Sequence, residues 1–132
     1  MVIIMIPKIA DSELEVMRLL WCEGRPLSFA EIRIELERKM VWSKSTIQTL
    51  IIRLRDKGAI CAQTNYVTLY SPCITEQEYI SAEGKSFLDK LFDGNAKNLV
   101  ASLCKNGQLE ESDIDELKQF FTLGGNYDDP NN

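Results

Sequence analysis

The chain has 132 residues, of which 45% are hydrophobic, with a formal net charge of −5 and no histidine. That length has room for one small domain plus an extension, with enough apolar content for a core. The missing imidazole excludes Ser-His and Cys-His nucleophile pairs and histidine-ligated metal sites, and no Gly-rich phosphate loop is present, so the chain is expected not to be an enzyme and to carry no catalytic residue, metal or cofactor.

The apolar run Val2 to Ile6 is too short to span a membrane and lacks the charged start and small-residue cleavage pattern of a secretory leader. A soluble cytoplasmic protein without a membrane partner is expected. Ser12 followed by Glu15 reads as a capping box that opens a helix with Leu14, Met17, Leu20 and Trp21 on one face. Gly24 and Pro26 then separate this helix from a second one, opened by Ser28 with Glu31, which turns Ile32, Leu36 and one of Ala30 or Ile34 inward. Glu13, Glu15, Glu31, Glu35 and Glu37 fall at helix starts or opposite the apolar stripes and read as solvated carboxylates rather than a catalytic dyad.

The segment Trp42 to Gly58 is the most informative in the chain. Ser43 is an N-cap, Gly58 is a left-handed terminator, and at 100° per residue Ile47, Leu50, Ile51 and Leu54 gather on one side of the helix between them. The opposite side carries Ser45, Gln48, Thr49, Ile52 and Asp56. Small hydroxyls, one amide able to pair with adenine, and methyl groups able to touch thymine suit a major groove. Lys44, Arg53, Arg55 and Lys57 lie at the flanks and ends, where cations meet phosphate without reading sequence. Taken alone, this stretch could equally be an ordinary amphipathic surface helix.

Its neighbours decide between the two. Ala59 to Gln63 and Tyr66 to Tyr70 are β-prone runs around Thr64-Asn65, ending at Pro72, and they predict a hairpin. Three helices followed by a hairpin make a winged helix-turn-helix, whose third helix enters the major groove. Charge is distributed accordingly: residues 38 to 57 hold six basic and one acidic residue, whereas residues 75 to 132 hold five basic and twelve acidic. A DNA-facing surface is thereby separated from a region that avoids DNA.

Thr75 with Glu78 opens a further helix carrying Tyr79, Ile80, Phe87, Leu88, Leu91 and Phe92 and stopping near Gly94. A shorter helix with Leu99, Val100 and Leu103 ends by Gly107, and another begins about Ser112 with Ile114, Leu117, Phe120 and Phe121. Three short amphipathic helices expose more apolar surface than they can cover alone, so they are expected to form a dimerisation arm rather than fold back on the N-terminal half. The expected class is mainly α, with a winged helix-turn-helix DNA-binding domain over 1–73, a three-helix dimerisation arm over 74–122 and a disordered tail over 123–132.

Specific matches in order also carry a family resemblance. Ile9 to Met17 with Trp21, Ala30-Glu31-Ile32, Trp42-Ser43 with Thr46 to Leu50, Arg53-Leu54 and Lys57-Gly58-Ala59 are joined by Tyr70-Ser71-Pro72, Tyr79, Ser86 to Asp89 and Leu91 to Gly94. Through them the chain resembles the penicillinase-repressor (BlaI/MecI/CopY) family of transcriptional repressors. The resemblance implies a homodimer on an inverted-repeat, double-stranded DNA operator with TACA/TGTA-type half-sites. It also implies release of repression when a sensor-linked protease cuts the arm, here near Ser102 and Leu103. The family's Asn-Phe cleavage pair is absent, the basic residue common just before the central Thr of its recognition helix is replaced by Ser45, and the wing lacks the usual Gly and Lys or Arg.

The expected DNA-binding residues are therefore Ser43, Lys44, Ser45, Thr46, Gln48, Thr49, Arg53, Arg55 and Lys57, with Asn65 and Tyr66 from the wing. The expected dimerisation residues are Tyr79, Ile80, Phe87, Leu88, Leu91, Phe92, Leu99, Val100, Leu103, Leu117, Phe120 and Phe121. Cys22, Cys61, Cys73 and Cys104 are scattered singly and differ from the closely spaced C-terminal cysteines of the family's copper-responsive branch. They read as free thiols packed as small hydrophobes, with a redox switch as the lesser option. The reading that competes with a repressor is a winged-helix module that binds protein without sequence-specific DNA binding.

Overall fold

A computed structural model describes residues 5 to 124. Their contacts form two compact units, divided between Glu83 and Gly84. In the first, α1 (Asp11–Glu23) begins at Ala10 and not at Ser12. Ala10 has no side-chain acceptor, but its N–H donates to the Glu13 carboxylate at 2.8 Å. The Ser12–Glu15 capping box is corrected for this reason: the phase that buries Val16, Met17 and Leu20 also buries Glu13 and draws the helix start two residues upstream. Gly24, at φ +67°, closes α1 with its N–H on the Leu20 carbonyl, a backbone conformation that glycine adopts without penalty.

Leu27–Ser28 forms the short strand β1, and α2 (Phe29–Met40) follows at once. The capping box here is real: the Glu31 N–H donates to Ser28 Oγ at 3.2 Å, and the Ser28 N–H donates to Glu31 Oε1 at 3.1 Å. Ile32 and Leu36, one helical turn apart, are the buried residues of α2. Both Ala30 and Ile34 are exposed, which corrects the expected third inward residue. Each is two positions from Ile32, about 200° around the helix, and therefore points to the far side.

Helix α3 (Lys44–Asp56) buries Ile47, Leu50, Ile51 and Leu54, as its periodicity predicts. The hairpin then pairs β2 (Ile60–Thr64) with β3 (Thr68–Pro72) in antiparallel register from Ile60↔Pro72 to Thr64↔Thr68. Its tip is Asn65 to Val67, so the second strand starts two residues later than expected. The strand β1 was not foreseen. It pairs antiparallel with β3 through Leu27↔Tyr70 and Ser28↔Leu69, giving the sheet order β1-β3-β2. A two-residue strand has no alternation to recognise, and only its partner defines it. The core joins Met17 and Leu20 of α1, Leu27, Ile32 and Leu36, the buried row of α3, and Ala59, Ile60 and Ile74 around the hairpin.

Helix α4 (Glu76–Phe92) is opened by the Thr75/Glu78 capping box, with the Glu78 N–H on Thr75 Oγ1 at 3.0 Å. Its beginning belongs to the first unit: the Trp21 Nε1–H donates to the Ile74 carbonyl at 2.9 Å, and the rings of Trp21 and Tyr79 lie 5.8 Å apart. This packing carries the first unit past residue 73, where the sequence suggests a boundary. The second unit holds the rest of α4, then α5 (Ala96–Lys105) and α6 (Glu111–Gly124). Neither α4 nor α5 has a fully buried residue. Of the expected tail, residues 123 and 124 close α6, and 125 to 132 lie outside the described residues. Among the described residues, no helix is long and apolar enough to cross a membrane.

The cysteines need a correction. None of the four is buried; Cys61 and Cys73 are joined in a disulfide with their Cα atoms 5.7 Å apart, and only Cys22 and Cys104 are free. Antiparallel pairing brings together positions 12 residues apart that nothing in the linear spacing connects.

Candidate nucleic-acid interface

Ser43 starts α3 with its Oγ accepting from the Thr46 N–H at 3.2 Å, and that oxygen also lies 3.1 Å from Ser45 Oγ and 3.0 Å from Thr46 Oγ1. The first turn carries no acidic residue. Its free amides and the positive end of the helix dipole are thus unopposed by carboxylate, which favours an approaching anion. Beyond this turn, Gln48, Thr49, Ile52, Arg53 and Arg55 are exposed while the row from Ile47 to Leu54 is buried. One helix therefore presents a hydrogen-bonding surface from a base fixed in the core.

The exposed groups are not equivalent. The Thr49 hydroxyl donates back to the Ser45 carbonyl at 2.9 Å, which leaves its lone pairs and methyl group to face outward. No intramolecular hydrogen bond engages the Gln48 carboxamide among the described residues, so its donor and acceptor are both available. Ile52, at 42% exposure, places an apolar side chain within this polar surface. A groove of about 550 Å³ runs beside α3, lined by Gln48, Ile52 and Arg55, by Ser28 at the start of α2, and by Val67 and Thr68 of the wing. It brings three elements to one surface. Val67, 54% exposed, and Ser28 were missed as surface members, because a valine in a β-prone run and a helix cap each carry a sufficient local explanation.

The cations divide into two kinds. Lys44, Arg53 and Arg55 are exposed. Lys57 is instead engaged within the chain: its ammonium donates to the Glu13 carboxylate and, at 2.9 Å, to the Lys8 carbonyl. Glu13, only 2% exposed, is correspondingly not the solvated carboxylate that its position in the sequence suggests. Burial pushes its carboxyl up, but the hydrogen bonds from Lys57 and the Ala10 amide and the charges of Lys57 and Arg53 outweigh that effect and hold it below its ordinary value. The wing contributes no cation at all between Ile60 and Pro72. Asn65 and Tyr66 stand at its tip, Tyr66 fully exposed and Asn65 bonded through its N–H to the Val67 carbonyl at 3.2 Å.

In the second unit, Phe87, Leu91, Val100 and Phe120 are between 42% and 70% exposed. Leu88, Phe92, Leu99, Leu103 and Leu117 are half-buried, with Phe92 tilted against Phe87 at 6.0 Å. The side chain of Phe121 lies outside the described ones. Tyr79 and Ile80 belong to the first unit; Tyr79 is half-buried against Trp21, whereas Ile80 is 53% exposed. Ser102 and Leu103 lie within α5, where the Asn106 N–H binds the Ser102 carbonyl and the Gln108 N–H binds the Leu103 carbonyl.

Three helices packed about one core, a three-stranded sheet with a projecting hairpin, and an exposed polar face on the third helix define a winged helix-turn-helix protein. The family model for the penicillinase repressor matches residues 9–122, and the chain belongs to that family. It is 37% identical over 117 residues to a penicillinase repressor of Bacillus licheniformis, covering 88% of this chain and 91% of that protein. It is 30% identical over 115 residues to the methicillin resistance regulatory protein MecI of Staphylococcus aureus (strain N315), covering 86% and 93%. Among solved structures, the DNA binding domain of the repressor BlaI aligns with a TM-score of 0.52 at 39% identity, over 59% of this chain and 95% of that one. The monomeric form of Bacillus licheniformis BlaI in complex with the blaP half-operator aligns with a TM-score of 0.51 at 40% identity, over 58% and 93%.

Proposed function

We propose that this chain is a homodimeric transcriptional repressor that seats α3 in the major groove of each half of an inverted-repeat operator and thereby blocks transcription. The observation that carries the reading is the division of α3: four apolar residues fix it in the core, while Ser45, Gln48, Thr49 and Ile52 face outward between Lys44, Arg53 and Arg55. Base-edge chemistry at the centre and phosphate chemistry at the flanks is what a sequence reader needs. The half-operator complex of a relative 40% identical in sequence supports the same use of this domain. A repressor of this kind would act in the cytoplasm.

The exposed apolar side chains of the second unit support the dimer. Two-fold symmetry then presents two copies of α3 and matches an inverted repeat. Release of repression is assigned to a sensor-linked protease that cuts near Ser102 and Leu103. Because that bond is inside a helical turn, the cut requires α5 to open locally first. Selection from random duplexes, followed by titration of the recovered sequence, tests the central claim. Recovery of an inverted repeat is expected, and failure to enrich any repeat would favour a protein-binding module.

A further inference from the structure

We propose that Cys61 and Cys73 form a reversible thiol–disulfide site, exchanging with low-molecular-weight thiols and disulfides, and that its oxidised state raises operator affinity. The coupling to DNA rests on the function proposed above; the redox site does not. Backbone pairing already holds the two cysteines together. Cys61 lies opposite Ser71, Ile60 lies opposite Pro72, and the Cys73 N–H donates to the Ala59 carbonyl at 2.8 Å. Buried Ala59, Ile60 and Ile74 anchor the chain on either side of the sulfurs. The hairpin therefore keeps its ladder and its core contacts when the bond opens, as a reversible bond requires.

Access is the second requirement. Both cysteines are exposed, and a cleft of about 390 Å³ lined by Trp21, Gly24, Arg25, Pro72 and Ile74 opens beside Cys73. It gives a small thiol room to sit in a mixed disulfide. A protein that meets chromosomal DNA works where small thiols reduce accessible disulfides, so an exposed bond there follows the thiol pool. Oxidation proceeds by two exchanges. The Cys73 thiolate attacks a small-molecule disulfide, releasing one thiol and leaving a mixed disulfide; the Cys61 thiolate then attacks the Cys73 sulfur and releases the second. The protein dithiol loses two electrons and two protons, and the small disulfide gains both.

The location supplies the consequence. The bond ties β2 to the residues that lead through Ile74, whose carbonyl holds Trp21, into the Thr75 cap of α4. In the oxidised chain a covalent tie is added to that ladder and suppresses its transient opening at the base of the wing, so less conformational freedom is lost when the wing docks against DNA.

The test uses the full chain equilibrated in glutathione buffers from fully reduced to fully oxidised, with free thiols alkylated and counted by mass, and with operator titrations at both ends. Two thiols should disappear together, at Cys61 and Cys73, while Cys22 and Cys104 stay alkylated. Oxidised protein should bind the operator roughly three- to ten-fold more tightly. C61S should accumulate glutathione on Cys73, and the C61S/C73S variant should bind as reduced protein does in every buffer. Absence of a paired two-thiol step overturns the site. A paired step with equal affinities overturns the coupling, and so does a chain that binds no duplex in either state, a result that also ends the operator reading.

Discussion

Glu13 and Lys57 stand 44 residues apart, and their side chains meet in an ion pair that fastens the start of α1 to the C-terminal end of the α3 helix. The glutamate is almost fully buried, whereas the lysine side chain is 35% exposed. That asymmetry makes the two partners unequal under mutation. Lys57→Met strands a carboxylate away from water and should destabilise the fold by about 3 kcal/mol or more, whereas Glu13→Gln leaves a lysine that can reach solvent and should cost about half as much. Chemical denaturation of both variants checks the order, and equal costs would contradict it.

The same pair sets an acid response. A carboxyl held below its ordinary value of 4.5 in the folded chain contributes stability that is fully present above that value and is lost as pH falls through the folded one. Wild-type protein should lose more stability than Glu13→Gln between pH 5 and pH 3, because the glutamine has no proton to gain. Parallel melting curves for the two proteins across that range would count against the linkage.

Gln48 and the arginines should fail in different ways. Gln48→Ala should cost about 1 to 3 kcal/mol on the preferred operator and flatten discrimination at one base pair per half-site. Arg55→Ala should weaken binding to all duplexes alike and leave the preferred base unchanged. With Lys57 engaged by Glu13, three of the four α3 cations expected at phosphate, Lys44, Arg53 and Arg55, remain free in each subunit, so a dimer should show a log–log salt slope of about −5. Titrations on single-base-pair operator variants at several salt concentrations report all three effects.

Ser43 caps α3 and is exposed, and the proposed operator complex sets it beside phosphate; charge separates these two roles. Ser43→Ala removes the acceptor of the Thr46 N–H and should cost about 1 kcal/mol of fold stability. Ser43→Asp keeps an acceptor and should retain most of that stability, yet it sets a negative charge beside phosphate and should weaken operator binding at least as much as Ser43→Ala does. A Ser43→Asp protein that folds and binds as well as wild type would remove Ser43 from the interface.

Dimerisation should depend on the exposed apolar groups of the second unit. Each Leu91 buried at a symmetric contact is worth about 1.5 to 3 kcal/mol, and it occurs twice per dimer, so Leu91→Asp should raise the dimer dissociation constant by at least about 100-fold. Sedimentation at micromolar concentration should find wild type dimeric and Leu91→Asp monomeric with unchanged helicity. Wild type sedimenting as a monomer would dismiss the dimer.

Much of this protein was decided by neighbours in sequence. The limits of α3 follow from Ser43 and Gly58, its buried row from the spacing of Ile47, Leu50, Ile51 and Leu54, and the start of α4 from Thr75 with Glu78. In each case the partners sit within one or two helical turns, so the pattern is visible before the chain folds. Other features depended on residues meeting from far apart. Ala10 begins α1 because Glu13 is held inside by Lys57; Leu27–Ser28 is a strand only because Tyr70 and Leu69 lie beside it; Trp21 fixes the start of α4 through the carbonyl of Ile74, 53 residues away. Cys61 and Cys73 are brought together by the hairpin ladder and by nothing in their spacing. Periodicity and capping are local interactions written into the chain, whereas the identity of a buried partner is set by topology, which exists only once the helices and the hairpin have packed.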